Sequence, residues 1–449
     1  MLRVAFHNLG CKVNSYELEV MIQKMAEKGY EIVPFEETAD IYIVNTCTVT
    51  AIADKKSRQM LHQARKRNPQ AVVVAAGCYA HTGREALMKD LQVDLLVGNQ
   101  EKGKIRELIE AYLQDHQKTE PRDINLENTY HDLFLAKTSE HTRATVKIQD
   151  GCNQFCSYCI IPYARGRVRS RQKEDILKEA RGLVEAGYRE IVYTGIHLSS
   201  YGLDLDGKKG IPAGEDFPGD RLSDLLLSLD ELYREDGTGL QRIRLGSLEP
   251  RIITGKFAET LSKVRGLCPH FHLSLQSGCN ETLRRMNRHY TTERFYEGME
   301  ILREVFHQPA ITTDVITGFP GETEEEFEKT VQFLEKANFY EMHVFPYSVR
   351  QGTAAASMKD QLTMAEKKKR SDVLLAMTRR QSDAFRRAHA GKELEILFEE
   401  DEIIRGTLMH TGYSREYIRV AYSGEVHPGE IRKLTADLQN NTDYAMIIR

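Results

Sequence analysis

Three short apolar runs in the first hundred residues each end on a cysteine: LRVAFHNLGC, IYIVNTC and AVVVAAGC. The runs read as strands, and helix-like stretches such as SYELEVMIQKMAEKGY and AIADKKSRQMLHQARKRN separate them. Strand alternating with helix requires a parallel sheet with helices on both faces. Functional groups of such sheets collect beyond the carboxyl ends of the strands. Cys11, Cys47 and Cys78, far apart in sequence, are therefore expected to meet on one rim of a domain covering residues 1–115. Gly10 and Gly77 precede two of them and would let the backbone approach something bulky. Asn14 and Asn45 would orient the loops or cap helices. Taken singly, each thiol reads better as a small buried hydrophobe; the equivalent placement of three favours a shared site.

A second triad is compact. Cys152, Cys156 and Cys159 lie in GCNQFCSYC, just after the strand TVKIQ. Soft thiolates suit iron–sulfur clusters or zinc. A structural zinc site takes four ligands in paired short spacings, and neither a second CxxC nor a close histidine supplies the fourth here. A zinc site or chance clustering remains the alternative. The N-terminus lacks the basic and apolar regions of a signal peptide, and no apolar run approaches the roughly 18 residues of a membrane span. A cytoplasmic location is expected, where disulfides are disfavoured and grouped cysteines read as metal-binding or catalytic.

Residues 116–140 read as a polar linker. A second alternation fills 141–362, with candidate strands TVKIQ, EIVYTG, RIRLGS, HFHLSLQ, ITTDVITG and YEMHVFPY. Six units are too few for a closed eight-stranded barrel, so an open, partial (β/α)6 barrel is expected, with 202–220 as a surface insertion. From 363 to 449 a basic helix leads into short strands, read as a small antiparallel barrel of OB-like size. The fold class is α/β with this β-barrel appended.

The string around Cys152, Cys156, Tyr158 and Cys159 resembles the CxxxCxΦC motif of the radical S-adenosylmethionine (SAM) superfamily. The resemblance implies that the compact triad holds a 4Fe-4S cluster and that SAM binds its open iron. Tyr158 would pack near the adenine. Gly195, in YTGIHLSSYG, would receive the methionyl amino group. Ser247 and Glu249 of GSLEP and Gln276 of LSLQSG would line the site, and Gly318 of TDVITGFPGET would support adenine and ribose. The layout of the whole chain, and GCNQFCSYCIIPYARGRVRSR in particular, resembles the methylthiotransferase family. That family has an N-terminal three-cysteine domain, a radical SAM domain and a C-terminal TRAM domain. The resemblance implies a second 4Fe-4S cluster on Cys11, Cys47 and Cys78 that carries the sulfur to be transferred. One SAM methylates that sulfur, and another supplies the radical that abstracts hydrogen from carbon 2 of an adenosine at position 37 of tRNA. No side chain is expected to act as acid or base. LGCKVNSYE, VNTCTVTAIADKKSR and AAGCYAH are most similar to the branch acting on N6-threonylcarbamoyladenosine. The isopentenyladenosine branch typically reads GCQMN, and the ribosomal-protein aspartate branch differs around Lys12-Val13-Asn14. Cys268 and Cys279 read as packing residues.

The formal net charge of −4 argues against nonspecific polyanion binding by the whole chain. Local basic runs are a different matter. A strand-like alternation would put Arg165, Arg167, Arg169 and Arg171 on one face, and a second run holds Lys367–Arg370, Arg379, Arg380, Arg386 and Arg387. Phosphate contact is the reading for both. Lys55, Lys56, Arg58 and Arg65–Arg67 read as a solvated face. Tyr413, Tyr417 and Tyr422 would stack on bases or belong to the small barrel's core. The expected partners are the tRNA anticodon stem-loop, an electron donor and a sulfur donor. No membrane is expected, and the chain is expected to be a monomer.

Overall fold

The computed structural model describes residues 1–90, 92–116, 118–124, 129–130, 133–136, 142–208, 210–437 and 446–448. The N-terminal unit runs β1 (Arg3–Asn8), α1 (Lys12–Ala26), β2 (Glu31–Val33), β3 (Ile41–Thr46), α2 (Ala51–Arg67), β4 (Val72–Gly77), α3 (Cys78–Thr82), α4 (Arg84–Met88), β5 (Leu95–Val97) and α5 (Ile105–Asp115). Its sheet is parallel throughout, in the order β2-β1-β3-β4-β5. Every residue of β3 and β4 is buried, which is why these strands read as continuous apolar runs instead of alternating ones. Tyr42, Val44, Val73 and Ala75 pack on Leu61 and Ala64 of α2. Ile41, Ile43 and Val74 pack on α1 and α5.

The central unit contains β6 (Arg143–Asp150), α6 (Ile161–Arg165), β7 (Arg169–Ser170), α7 (Lys173–Glu185), β8 (Glu190–Gly195), α8 (Asp220–Asp230), β9 (Arg242–Leu245) and α9 (Gly255–Leu261). It continues through β10 (His270–Gln276), α10 (Asn280–Arg285), α11 (Thr292–Phe306), β11 (Ala310–Thr317), α12 (Glu324–Ala337), β12 (Glu341–Pro346) and α13 (Met364–Arg387). Strands β6-β8-β9 and β10-β11-β12 are parallel, and two parallel bridges, Ile243–Leu267 and Leu248–Leu273, join the two sheets. The result is the expected open six-stranded barrel, with β7 antiparallel on the outer edge of β6. Alternation sorts the side chains: Ala144, Val146, Ile148, Ile191 and Tyr193 face the helices, so Arg143, Thr145, Lys147, Glu190, Val192 and Thr194 face the lumen. Helix α13 opens on a Thr363/Glu366 capping box and buries Leu374 and Met377 in the barrel core. By its packing it is the barrel's sixth helix, although the sequence division at 363 groups it with the C-terminal strands.

The C-terminal unit holds β13 (Glu393–Ile404), β14 (Thr407–Ser414), β15 (Arg419–Tyr422), β16 (Ile431–Thr435) and β17 (Met446–Ile448). The sheet order is β16-β13-β14-β15-β17, antiparallel except for the β15–β17 pair. A register shift between Phe398 and Glu400 bends β13, as a bulge does, so the expected barrel is a curled sheet with one parallel edge. Residues 117, 125–128, 131–132 and 137–140 of the expected linker lie outside the described residues. The described part is not merely polar: Leu133 and Leu135 pack on Tyr16 and Val20, and the Tyr16 hydroxyl donates to the Leu133 carbonyl at 2.6 Å.

Candidate active site at the joint of the two cysteine triads

Cys11, Cys47 and Cys78 follow β1, β3 and β4 at their carboxyl ends, as the alternation requires. The three loops are tied together by asparagines. Asn14 Nδ2 donates to the Leu9 carbonyl at 2.7 Å and to the Thr46 carbonyl at 3.1 Å. Asn45 Nδ2 donates to the Asn14 carbonyl at 2.7 Å. Gly77 has φ +99°, and a Cβ there would lie 2.8 Å from the Thr46 carbonyl oxygen. The glycine is therefore dictated by its neighbouring strand and by its own backbone, before any ligand is considered. Asn99, which the sequence reading did not single out, donates from Nδ2 to Cys78 Sγ at 3.6 Å and to the Ala164 carbonyl at 2.9 Å. It bridges this triad to α6.

The compact triad sits in the loop after β6. Gly151 has φ +71°, and a Cβ there would lie 1.8 Å from the Arg167 carbonyl oxygen, so no other residue fits. Gln149 braces the loop: its Nε2 donates to the carbonyls of Asp150 and Gly151, both at 2.7 Å, while its Oε1 accepts from His197 N–H at 2.8 Å. Arg288 places Nη1 3.2 Å from Cys156 Sγ and Nη2 3.2 Å from the Ser274 carbonyl. Burial pushes the Cys47 and Cys152 thiols up, and it pushes Cys159, beside Cys156, up to about 12. Left alone these thiols keep their protons; an iron site displaces them.

The remaining expected SAM-site residues fall on the same carboxyl rim. Gly195 ends β8, and a Cβ there would lie 2.8 Å from Gln149 Oε1. Gln276 ends β10 with φ +74°, and Gly318 follows β11 with φ +67°. Glu249 pairs with Arg251 at 2.8 Å, whose Nη2 reaches Gln154 in the compact loop at 3.4 Å. Ser247 is exposed on the rim. Tyr158 meets Phe319 edge-on, with centroids 6.4 Å apart.

A buried ionic network joins the two triads. Glu17 of α1 accepts from Lys102, from Lys147 at 2.7 Å and from Arg165 at 2.8 Å. Arg165 also reaches Asp150 at 3.1 Å and Asn14 Oδ1 at 2.6 Å. Burial alone would raise the carboxyls of Glu17 and Asp150; the surrounding cations overcome it and hold both well below the usual carboxylate range. Lys102, Lys147, Arg165 and Arg169 outnumber these two carboxylates, and Arg165 feels Cys78 directly. A surplus of buried positive charge beside a cysteine triad fits an anionic cluster there. On the far side of the barrel opening, Arg350 beyond β12 pairs with Asp54 of α2 at 2.6 Å. The N-terminal unit thus spans the gap between the edge strands β6 and β12.

The arginines are not arranged as expected. Arg165, Arg169 and Arg171 are buried; Arg171 pairs with Glu179, and Arg169 donates to the carbonyls of Arg165 and Arg167. A buried, partnered guanidinium is not available to a phosphate, and a two-residue strand cannot sustain the alternation that would expose all four. Arg167 alone is exposed, stacked over Phe155 at 4.5 Å. In the second run Lys367, Arg370 and Arg386 are buried, whereas Arg379 and Arg380 are exposed, Arg380 beside Glu335. Tyr413 and Tyr417 stack on each other at 4.5 Å and Tyr417 stacks on His270 at 4.8 Å. They serve the joint between the C-terminal sheet and the barrel. Cys268 and Cys279 are buried outside both triads' loops, Cys279 beside Glu281 at 2.9 Å.

Residues 146–334 match the model of the radical SAM superfamily, and residues 3–98 match that of uncharacterized protein family UPF0004. The chain is 41% identical to the threonylcarbamoyladenosine tRNA methylthiotransferase MtaB of Bacillus subtilis, over 94% of this chain and 91% of that one. It is 39% identical to the MtaB of Aquifex aeolicus, over 89% and 93%. It is 35% identical to the tRNA-2-methylthio-N(6)-dimethylallyladenosine synthase of Desulfitobacterium hafniense, over 93% and 90%. Among solved structures, the fold is similar to the radical SAM methyltransferase TsrM of Kitasatospora setae, with TM-score 0.57, 16% identity and coverage of 79% and 74%.

Proposed function

The chain belongs to the threonylcarbamoyladenosine tRNA methylthiotransferase (MtaB) family of radical SAM enzymes, and from that premise we propose how its residues serve the reaction. The enzyme converts N6-threonylcarbamoyladenosine in tRNA to its 2-methylthio derivative, with two 4Fe-4S clusters and SAM as cofactors. When bound, these groups supply the reducing electron, the radical, the sulfur and the methyl group. The protein's contribution is placement. Cys152, Cys156 and Cys159 would hold the cluster that binds SAM; Cys11, Cys47 and Cys78 would hold the other. Tyr158, Gly195, Ser247, Glu249, Gln276 and Gly318 would line the SAM site. The observation that carries this reading is the Glu17–Arg165–Asp150 network, which locks both triads to one joint so that a single base can face both.

The choice of nucleoside is supported by the lumen. His272, Asp314 and His343 bring their polar atoms within 4.8 Å of one another there, and Arg143, Lys147 and Glu190 add charge. A dimethylallyl tail calls for an apolar pocket; a threonyl substituent calls for this one. The tRNA is engaged at its anticodon stem-loop, at position 37, with Arg167, Arg379 and Arg380 as exposed phosphate contacts. An external electron donor and sulfur donor complete the cycle, and the enzyme works as a monomer in the cytoplasm. Among the described residues no helix is long and apolar enough to cross a membrane.

Nucleoside mass spectrometry of tRNA from cells with and without the gene tests the assignment. Loss of 2-methylthio-threonylcarbamoyladenosine is expected; unchanged profiles would sink it. Anaerobically reconstituted Cys78→Ser protein should drop from about eight to about four irons per chain yet still release 5'-deoxyadenosine from SAM.

A further inference from the structure

Lys12 follows Cys11 directly, as the first residue of α1. Its side chain lines a cavity of about 310 Å³ bounded by α1, the lumen face of β6 and β8, and the C-terminal sheet, with Arg143, Thr145, Val192, Glu399 and Tyr417 among its walls. Its charge is felt by Arg244 and, across the lumen, by His270. The other strand cations facing the lumen are already matched by acids. Arg143 pairs with Glu399, Lys147 with Glu17 and Asp150, and Arg242 and Arg244 with Glu190 at 2.8 and 2.9 Å. Lys12 has no hydrogen bond or ion pair to another of the described residues.

We infer that Lys12 is the specificity residue that receives the threonyl carboxylate of the substrate nucleoside. The inference rests on the function proposed above. Carbon 2 of the adenine must face the triad that contains Cys11. The N6 substituent leaves the same six-membered ring and carries its carboxylate several bonds further. Neighbouring Cα atoms are about 3.8 Å apart, so an ammonium on a four-carbon stem beside Cys11 reaches that distance. Amid Arg143 and Arg244, an anion also relieves the repulsion among the lumen cations. An unpaired ammonium in a site whose other lumen cations are already paired, and whose outer wall carries Glu400, therefore selects a substrate that brings its own anion to the lysine.

Two anticodon stem-loops test this, one bearing threonylcarbamoyladenosine and one its threonyl methyl ester. Binding by fluorescence anisotropy and methylthiolation kcat/KM are both read. The wild type should prefer the free acid by about tenfold or more in each readout. Lys12→Met should reduce that preference to near unity, Lys12→Arg should keep most of it, and Lys55→Met, on the exposed face of α2, should leave it unchanged. A Lys12→Met enzyme that retains the preference, or loss of the preference in Lys55→Met instead, overturns the inference while leaving the function intact. A wild type that binds acid and ester equally overturns it without any variant. A wild type that methylthiolates neither substrate overturns the function and the inference together.

Discussion

Arg288 sets a guanidinium 3.2 Å from the sulfur of Cys156 and anchors its other nitrogen on the Ser274 carbonyl. A charged donor on a cluster sulfur stabilises the reduced state, because reduction adds negative charge that the donor attracts. With the compact triad holding the SAM-binding cluster as proposed, Arg288→Met should therefore lower that cluster's midpoint potential and slow 5'-deoxyadenosine release, while iron content stays at two clusters. A redox titration followed by electron paramagnetic resonance reads the shift; an unchanged potential would reduce Arg288 to a packing residue. Gly151 makes the complementary point about backbone. Its left-handed φ and the Arg167 carbonyl leave no room for a Cβ, so the loop that carries three cysteines closes only with glycine there.

At the scale of elements, β8 and β9 use charge to hold the C-terminal sheet. Glu190 pairs with Arg242 and Arg244, and these arginines donate onward to the carbonyls of Tyr413 and Ser414 at the end of β14 and of Arg415 in the turn that follows. Burial alone would raise the Glu190 carboxyl; Arg242, Arg244 and Arg143 bring it down to about 2. Its folded pKa thus lies below the unfolded value of about 4.3. The stability it adds is complete above the unfolded value and is lost as pH falls from about 5 toward 2. Glu190→Gln, which leaves the arginines unmatched, should cost on the order of 3–5 kcal/mol at pH 7. That difference from the wild type should shrink by pH 3. Denaturant titrations at the two pH values check it, and a pH-independent difference would rule out the ionic account.

At the scale of the whole molecule, the open barrel is closed by its neighbour. The N-terminal unit ties to the β6 edge through Glu17, Lys147 and Arg165 and to the β12 side through Arg350 and Asp54. In the function proposed above, RNA contact falls to exposed cations outside this buried network. Substituting Arg167, Arg379 or Arg380 by alanine should weaken tRNA binding and reduce the slope of log affinity against log salt by about one each. Arg165→Ala should instead destabilise the fold and disturb both triads. Equal salt slopes for Arg165→Ala and Arg167→Ala would contradict that division.

The strands, the helices between them and the six cysteines at strand ends were legible in the sequence because they follow from local patterning. Apolar runs of strand length, glycines before cysteines and the spacing Cys152-x3-Cys156-x2-Cys159 are properties of neighbouring residues. The placement of Cys11, Cys47 and Cys78 on one rim followed from topology alone. The use of charge was not legible. Arg165, Arg167 and Arg169 look alike in the chain, yet two are buried in pairs and one faces solvent. Whether a guanidinium meets Glu17 from a distant helix or meets water is fixed only when β6 and α1 come together. The same holds for Arg288 on Cys156, for Asn99 on Cys78 and for Lys12 opening into the lumen. Sequence determined which residues could carry the chemistry; tertiary packing decided which charges were neutralised and which were left for a substrate.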